Sequence, residues 1–122
     1  MDPILHLKYE IWIPTLNEYI DAERVNKYKA ANMKKVLTQK IKFWTMSQSR
    51  IKLHGLHDVV LIWTRKDRRH DADNVYAGIK FLLDGIVAAG TLPGDDRKHV
   101  RNIRHEIQQG QKEWVEVLFF KV

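Results

Sequence analysis

Five consecutive apolar residues, Val59-Val60-Leu61-Ile62-Trp63, stand in a chain that is 30% charged, and they constrain its fold more than any other feature. A run of this kind, rich in β-branched side chains and bounded by polar residues, reads as a buried central strand from Asp58 to Thr64. Upstream, Ile4 to Ile13 alternates apolar Leu5, Leu7, Tyr9, Ile11 and Ile13 with polar Lys8 and Glu10, the period of a half-buried strand, and Pro14 closes it. Thr15 to Asn26 reads as a polar loop or short helical turn, with Asn17 and Asp21 as caps. From Lys27 to Arg50 the period becomes helical. Met33, Val36, Leu37, Ile41 and Trp44 form the apolar stripe, and Lys29, Lys34, Lys35, Lys40 and Lys42 occupy the other faces. Gly55 breaks this segment.

Downstream of the central strand, Arg65-Lys66-Asp67-Arg68-Arg69-His70 is a charged loop. A second helix is predicted from Asn74 to Ala89, with Val75, Ile79, Leu82 and Ile86 as its stripe and Gly90 as its C-terminal stop. Thr91 to Lys98 is turn material. Val100 to Glu106 and Trp114 to Lys121 read as strands joined as a hairpin near Gln109-Gly110-Gln111. The order is β-α-β-α-β-β. It predicts an α+β fold, a mixed sheet packed with two main helices, in one domain spanning residues 1–122.

The formal charge of +6 points to a polyanionic partner, nucleic acid first among them, unless the surplus lysines serve only solubility. The chain has no cysteine, which excludes disulfides, zinc-thiolate sites and thiol nucleophiles. No apolar stretch is long enough for a membrane span, and Met1-Asp2-Pro3 does not resemble a secretory signal. A reducing cytoplasm is the expected location.

The chemistry concentrates in Arg68-Arg69-His70-Asp71-Ala72-Asp73-Asn74. Side chains two apart in an extended segment point the same way, so Asp71 and Asp73 aim two carboxylates at one spot. Their repulsion is relieved by a cation, and hard oxygen donors suit Mg²⁺ or Mn²⁺. The alternative is a helix N-cap, for which Asp and Asn are equally good material. An EF-hand is excluded, because Tyr76 falls where its glycine is needed and Leu82 where its glutamate is needed. Asp95-Asp96 is a third acidic element, either a further ligand or a solvated turn. Lys80 lies two turns beyond Asp73, either facing a phosphate or bridging to Asp84. Arg65, Lys66, Arg68, Arg69, Asn74, Lys98 and Arg101 supply a polar, basic rim for a nucleic-acid backbone. His-Glu-x-x-His, Gly-rich phosphate loops and Gly-x-Ser-x-Gly are all absent, and the histidines lack metal-ligand spacing.

Arg68 to Asp96, RRHDADNVYAGIKFLLDGIVAAGTLPGDD, resembles the signature region of the RusA family of Holliday-junction resolvases. Pro14 to Tyr19 is similar to the N-terminal loop of its phage and prophage members. The resemblance implies a Mg²⁺-dependent homodimer in a bacterial host cell that nicks four-way DNA junctions in symmetric pairs. It implies three metal-binding aspartates, here Asp71, Asp73 and one of Asp95 or Asp96, with Asp95 preferred by its distance from Gly90. It also implies an assisting lysine. In the best-known member that lysine comes four residues after the second aspartate, where this chain has Ala77, and Lys80 is the nearest lysine. Tyr76 and Phe81 are candidates for the dimer interface or for the core. A non-catalytic DNA-binding protein, or a nuclease for other branched nucleic acids, are the competing readings.

Overall fold

A computed structural model describes residues Met1–Val122 as an α+β fold. In chain order the elements are β1 (Leu5–Tyr9), α1 (Leu16–Val25), α2 (Lys27–Gln48), β2 (His57–Arg65), α3 (Ala72–Tyr76), α4 (Ile79–Ala88), β3 (Val100–Gln109) and β4 (Trp114–Lys121). The four strands form one mixed sheet in the order β1-β4-β2-β3, with β2 and β3 parallel and the other pairs antiparallel. The apolar run therefore does occupy an interior strand.

Register puts Leu7, Val117 and Leu61 in one row across the sheet, all fully buried. Alternate strand residues on that face share a core with Leu37 and Ile41 of α2 and with Leu82 and Ile86 of α4. Each such side chain contributes about 1.5–3 kcal/mol on burial. His6, Asp58, Ile62, Glu116 and Leu118, on the opposite face, are exposed or half-buried. No helix is long and apolar enough to cross a membrane.

Three expectations need correction. Thr15 to Asn26 is mostly the helix α1, opened by a reciprocal capping box in which Thr15 accepts from the Glu18 N–H and Glu18 accepts from the Thr15 N–H. Asn17 and Asp21 lie inside it. Asn26 is the true break, extended at φ −170°, and its side chain caps α2 through the Tyr28 N–H.

The second helix is interrupted at Ala77-Gly78. A Cβ on Gly78 would lie 2.6 Å from Ile13 Cγ2 and 3.0 Å from the Trp63 ring, so the chain passes too close to the sheet for any larger residue. Gly90 ends α4 in the left-handed region at φ +80°, as its position predicts.

β3 and β4 do not form a hairpin. β2 lies between them, and the connection crosses the end of β2, where the Gly110 N–H donates to the Arg65 carbonyl at 2.8 Å. β3 becomes an edge strand joined to β2 by the α3–α4 crossover, the connection a parallel pair requires.

Candidate functional site

Asp71 is the residue before α3, extended at φ −63° and ψ 151°, and its carboxylate makes no capping bond. The alternative cap role is not what its side chain does here. Asp73 is likewise exposed but lies inside α3, so the pair is not the extended arrangement expected to aim both carboxylates at one spot; neither carboxylate has a hydrogen-bond or ion-pair partner within the protein. Asn74 is half-buried beside them.

A helix of five residues has little stability of its own, so its position comes from tertiary contacts. Val75 is buried in the core, and the Tyr76 ring stacks on His105 of β3 at 4.3 Å. His105 in turn meets Trp63 of β2, whose Nε1–H lies 3.0 Å from its Nδ1. The turn carrying both aspartates is thereby anchored to two strands. Asp71 opens onto a cleft of about 440 Å³ whose lining includes Arg65, Arg68, His70, Gln108 and Gln109.

The acidic loop after α4 does not join this pair. Asp95 accepts a hydrogen bond from Lys80 Nζ at 2.9 Å, and the same ammonium meets Asp84 at 3.1 Å. These contacts, that with Asp95 foremost, raise the lysine's pKa. Asp96 pairs with His99 Nδ1 at 2.7 Å, which chiefly lowers its pKa. No three His, Asp or Glu side chains converge on one point.

For Asp96 the reason lies in the topology. Asp71 leaves from the C-terminal end of β2, whereas Asp96 sits where the chain enters the parallel β3, beside the N-terminal end of β2. There the His57 N–H donates to the His99 carbonyl at 2.9 Å. The expected three-aspartate cage, with Lys80 facing a phosphate, is thus not assembled; Lys80 instead holds the bridge to Asp84 and adds one to Asp95.

The basic rim is also divided. Arg101 forms a bidentate pair with Asp58 at 2.7 and 3.1 Å, tying the starts of β2 and β3 together at the end of the sheet remote from Asp71. Lys98 lies at that end too. Arg65 pairs with Glu113 at 3.5 Å and Arg69 with Asp67 at 3.3 Å. Lys66 and Arg68 are exposed cations without a carboxylate partner within 4.0 Å, near the aspartates in sequence. Arg68 lines the Asp71 cleft directly.

Gln108 and Gln109 reach this cleft from a strand far along the chain, and sequence reasoning missed them because only the β2–β3 register brings them there. His70 is adjacent to Asp71, and its place in the cleft was open to inspection from the sequence. Phe81 is buried and Tyr76 is taken up by its stack, so neither offers a free apolar face. No family model and no curated protein matches this chain.

Proposed function

We propose that this protein is a metal-dependent endodeoxyribonuclease acting on branched DNA, with the four-way junction as its substrate and two copies of the chain as its working unit. The observation carrying this reading is the Asp71–Asp73 pair. Neither carboxylate has an internal partner, Asp71 opens onto the cleft beside Arg68, and bare carboxylates would repel a DNA strand. Magnesium is commonly held by one or two carboxylates plus waters and substrate oxygens, so Asp71 and Asp73 suit it as protein ligands without a third. A bound Mg²⁺ or Mn²⁺ would supply a water of lowered pKa and Lewis-acid assistance to the phosphodiester. Arg68 and Lys66 hold the flanking phosphates, and the half-buried Asn74 offers a neutral polar contact at the same turn. The junction as substrate rests on the resemblance of residues 68–96 to the RusA signature.

A dimer suits a two-fold junction. The edge of β3 supports it: about His105 the strand is self-complementary, with Arg104 opposite Glu106 and Ile103 opposite Ile107 when two copies pair antiparallel.

The test is cleavage of labelled four-way junction, linear duplex and single strand, with Mg²⁺ and with EDTA, by wild type and Asp71→Asn. Paired nicks confined to the junction and lost in EDTA are expected. Since losing even an outer partner of a metal ligand costs about 10–100-fold, Asp71→Asn should cut at least a hundredfold more slowly while still binding the junction. A non-catalytic DNA-binding protein is the second reading, favoured by the internal partners of Asp95 and Asp96. Tight junction binding without nicking in either cation selects it.

A further inference from the structure

A second cleft, of about 200 Å³, shares Arg65 with the Asp71 cleft and is walled by Trp12, Trp63 and Trp114. Three of the four tryptophans in the chain therefore meet in one place, brought from the β1–α1 connection, β2 and β4. Two of them are fixed. Trp63 is buried and donates its indole N–H toward His105, and Trp114 donates to Glu116 at 3.1 Å with the Lys8 ammonium 4.5 Å from its ring centroid. Trp12 differs from both. It lies outside regular structure, has no hydrogen-bond partner, and leaves 55% of its surface exposed.

The polar groups in the cleft say what it suits. Glu10 and Glu113 line it, and the guanidinium of Arg65 lies 3.5 Å from Glu113. Each carboxylate already holds a cation, Glu10 the Lys8 ammonium at 3.1 Å and Glu113 the Arg65 guanidinium, which leaves none free for a phosphate; the unpaired Arg68 next door suits it better. A neutral flat ring carrying donors and acceptors on its edge needs no free cation. It stacks on indole and is read by guanidinium and carboxylate.

We propose that this cleft takes one unstacked nucleobase of a DNA strand, stacked on Trp12 with its edge against Arg65 and Glu113, while that strand's phosphates cross the adjoining Arg68–Asp71 cleft. A branch point, where bases unstack at least cost, is where such a base is on offer. The path of the strand rests on the nuclease reading; the affinity of the cleft for a base does not.

The experiment is a titration in EDTA, where no metal-dependent cleavage intervenes. Tryptophan emission and affinity are followed for a short single-stranded oligonucleotide and for its fully abasic counterpart. Wild type, Trp12→Ala and Trp12→Phe are compared, and circular dichroism confirms that each is folded. The base-containing strand should quench wild-type emission and bind Trp12→Ala about 5- to 150-fold more weakly, the range measured for loss of one stacking platform. Trp12→Phe should recover most of the affinity, and the abasic strand should bind all three alike. Equal binding of the ordinary strand by wild type and Trp12→Ala, or equal quenching by the abasic strand, would overturn the proposal. Quenching without junction cleavage in Mg²⁺ would instead leave the base cleft standing and remove the nuclease. Cleavage with no effect of Trp12→Ala on binding would do the reverse.

Discussion

His105 joins the sheet to the turn that carries Asp71 and Asp73. Its ring lies between Tyr76, stacked at 4.3 Å, and Trp63, whose indole N–H points at Nδ1. An indole is a donor only, so Nδ1 is the acceptor and the imidazole is neutral with its proton on Nε2. Burial lowers its pKa below the ordinary 6.5. The sign follows. The unfolded chain takes up a proton near 6.5 that the folded chain refuses until lower pH, so this contribution is complete above 6.5 and is lost on acidification below it. Thermal melts should be level from pH 8 to 7 and fall as the pH drops from about 6.5 toward 5.5, above the range in which ordinary carboxylates titrate. His105→Phe keeps a stacking ring and should flatten that fall. An imidazole NMR titration placing His105 above 6.5 would contradict this. At the residue scale, Asp71 and Asp73 are both exposed and unpartnered, whereas the extended segment read across them is cut short by the start of α3 at Ala72. The partners of Asp95 and Asp96 were not legible in the sequence, since the loop that carries them is placed by tertiary contacts, Lys80 on α4 and the His57–His99 backbone bond among them.

Elements were legible where the local pattern was unopposed. The β2 run and the Gly90 stop hold, the α2 stripe holds except at the exposed Val36, and α1 was missed because the Thr15–Glu18 capping box was not read. What local pattern does not contain is clearance between elements. Gly78 interrupts an otherwise continuous helical stripe because α4 must pass close over Trp63, and Gly110 carries the chain across β2 where a hairpin was expected. Gly85 is the clearest case. A Cβ there would sit 2.3 Å from Ile41 Cγ2 and 2.5 Å from Ile41 Cβ, so α2 and α4 touch through the space a side chain would take. Gly85→Ala gains roughly 1 kcal/mol of helix propensity, yet it forces apart two helices whose contact is in the core. Overpacking of this sort costs about 1–3 kcal/mol, so the net expected change is a loss of up to about 2 kcal/mol, read from urea denaturation at pH 7. A variant more stable than wild type would mean that α4 slides freely on α2. By contrast, Thr15→Ala removes one capping bond and should cost about 1 kcal/mol without moving either helix.

On the scale of the whole molecule, the unanswered edge is β3. Its outer backbone groups face no neighbouring strand over ten residues, a length that natural proteins usually cover or break up. Ile103 and Ile107 are 46% and 44% exposed, and they flank His105 symmetrically. Antiparallel pairing of two copies about His105 extends the sheet to twice its width and places Ile103 against Ile107 of the second copy. The same register sets Arg104 against Glu106 twice, once on each side of the axis. It would also carry the Arg101 end of one copy, where Asp58 holds the guanidinium, toward the Gln109 end of the other, next to the Asp71 cleft. Cross-strand ion pairs are worth about 0.2–1 kcal/mol each, and a single reversal turns two attractive pairs into two repulsive ones. Arg104→Glu and Glu106→Arg should therefore each weaken dimerisation by about 1–3 kcal/mol, roughly 5- to 150-fold in Kd by analytical ultracentrifugation. The double variant, with both charges exchanged, restores the complement and should return to near wild-type association. Arg104 and Glu106 also lie 3.8 Å apart within one copy, so recovery in the double variant decides the matter when the single variants melt as the wild-type chain does at concentrations too low for association. If all three variants dimerise like wild type, the two-fold axis lies elsewhere, and the basic residues at the far end of the sheet must serve their own copy.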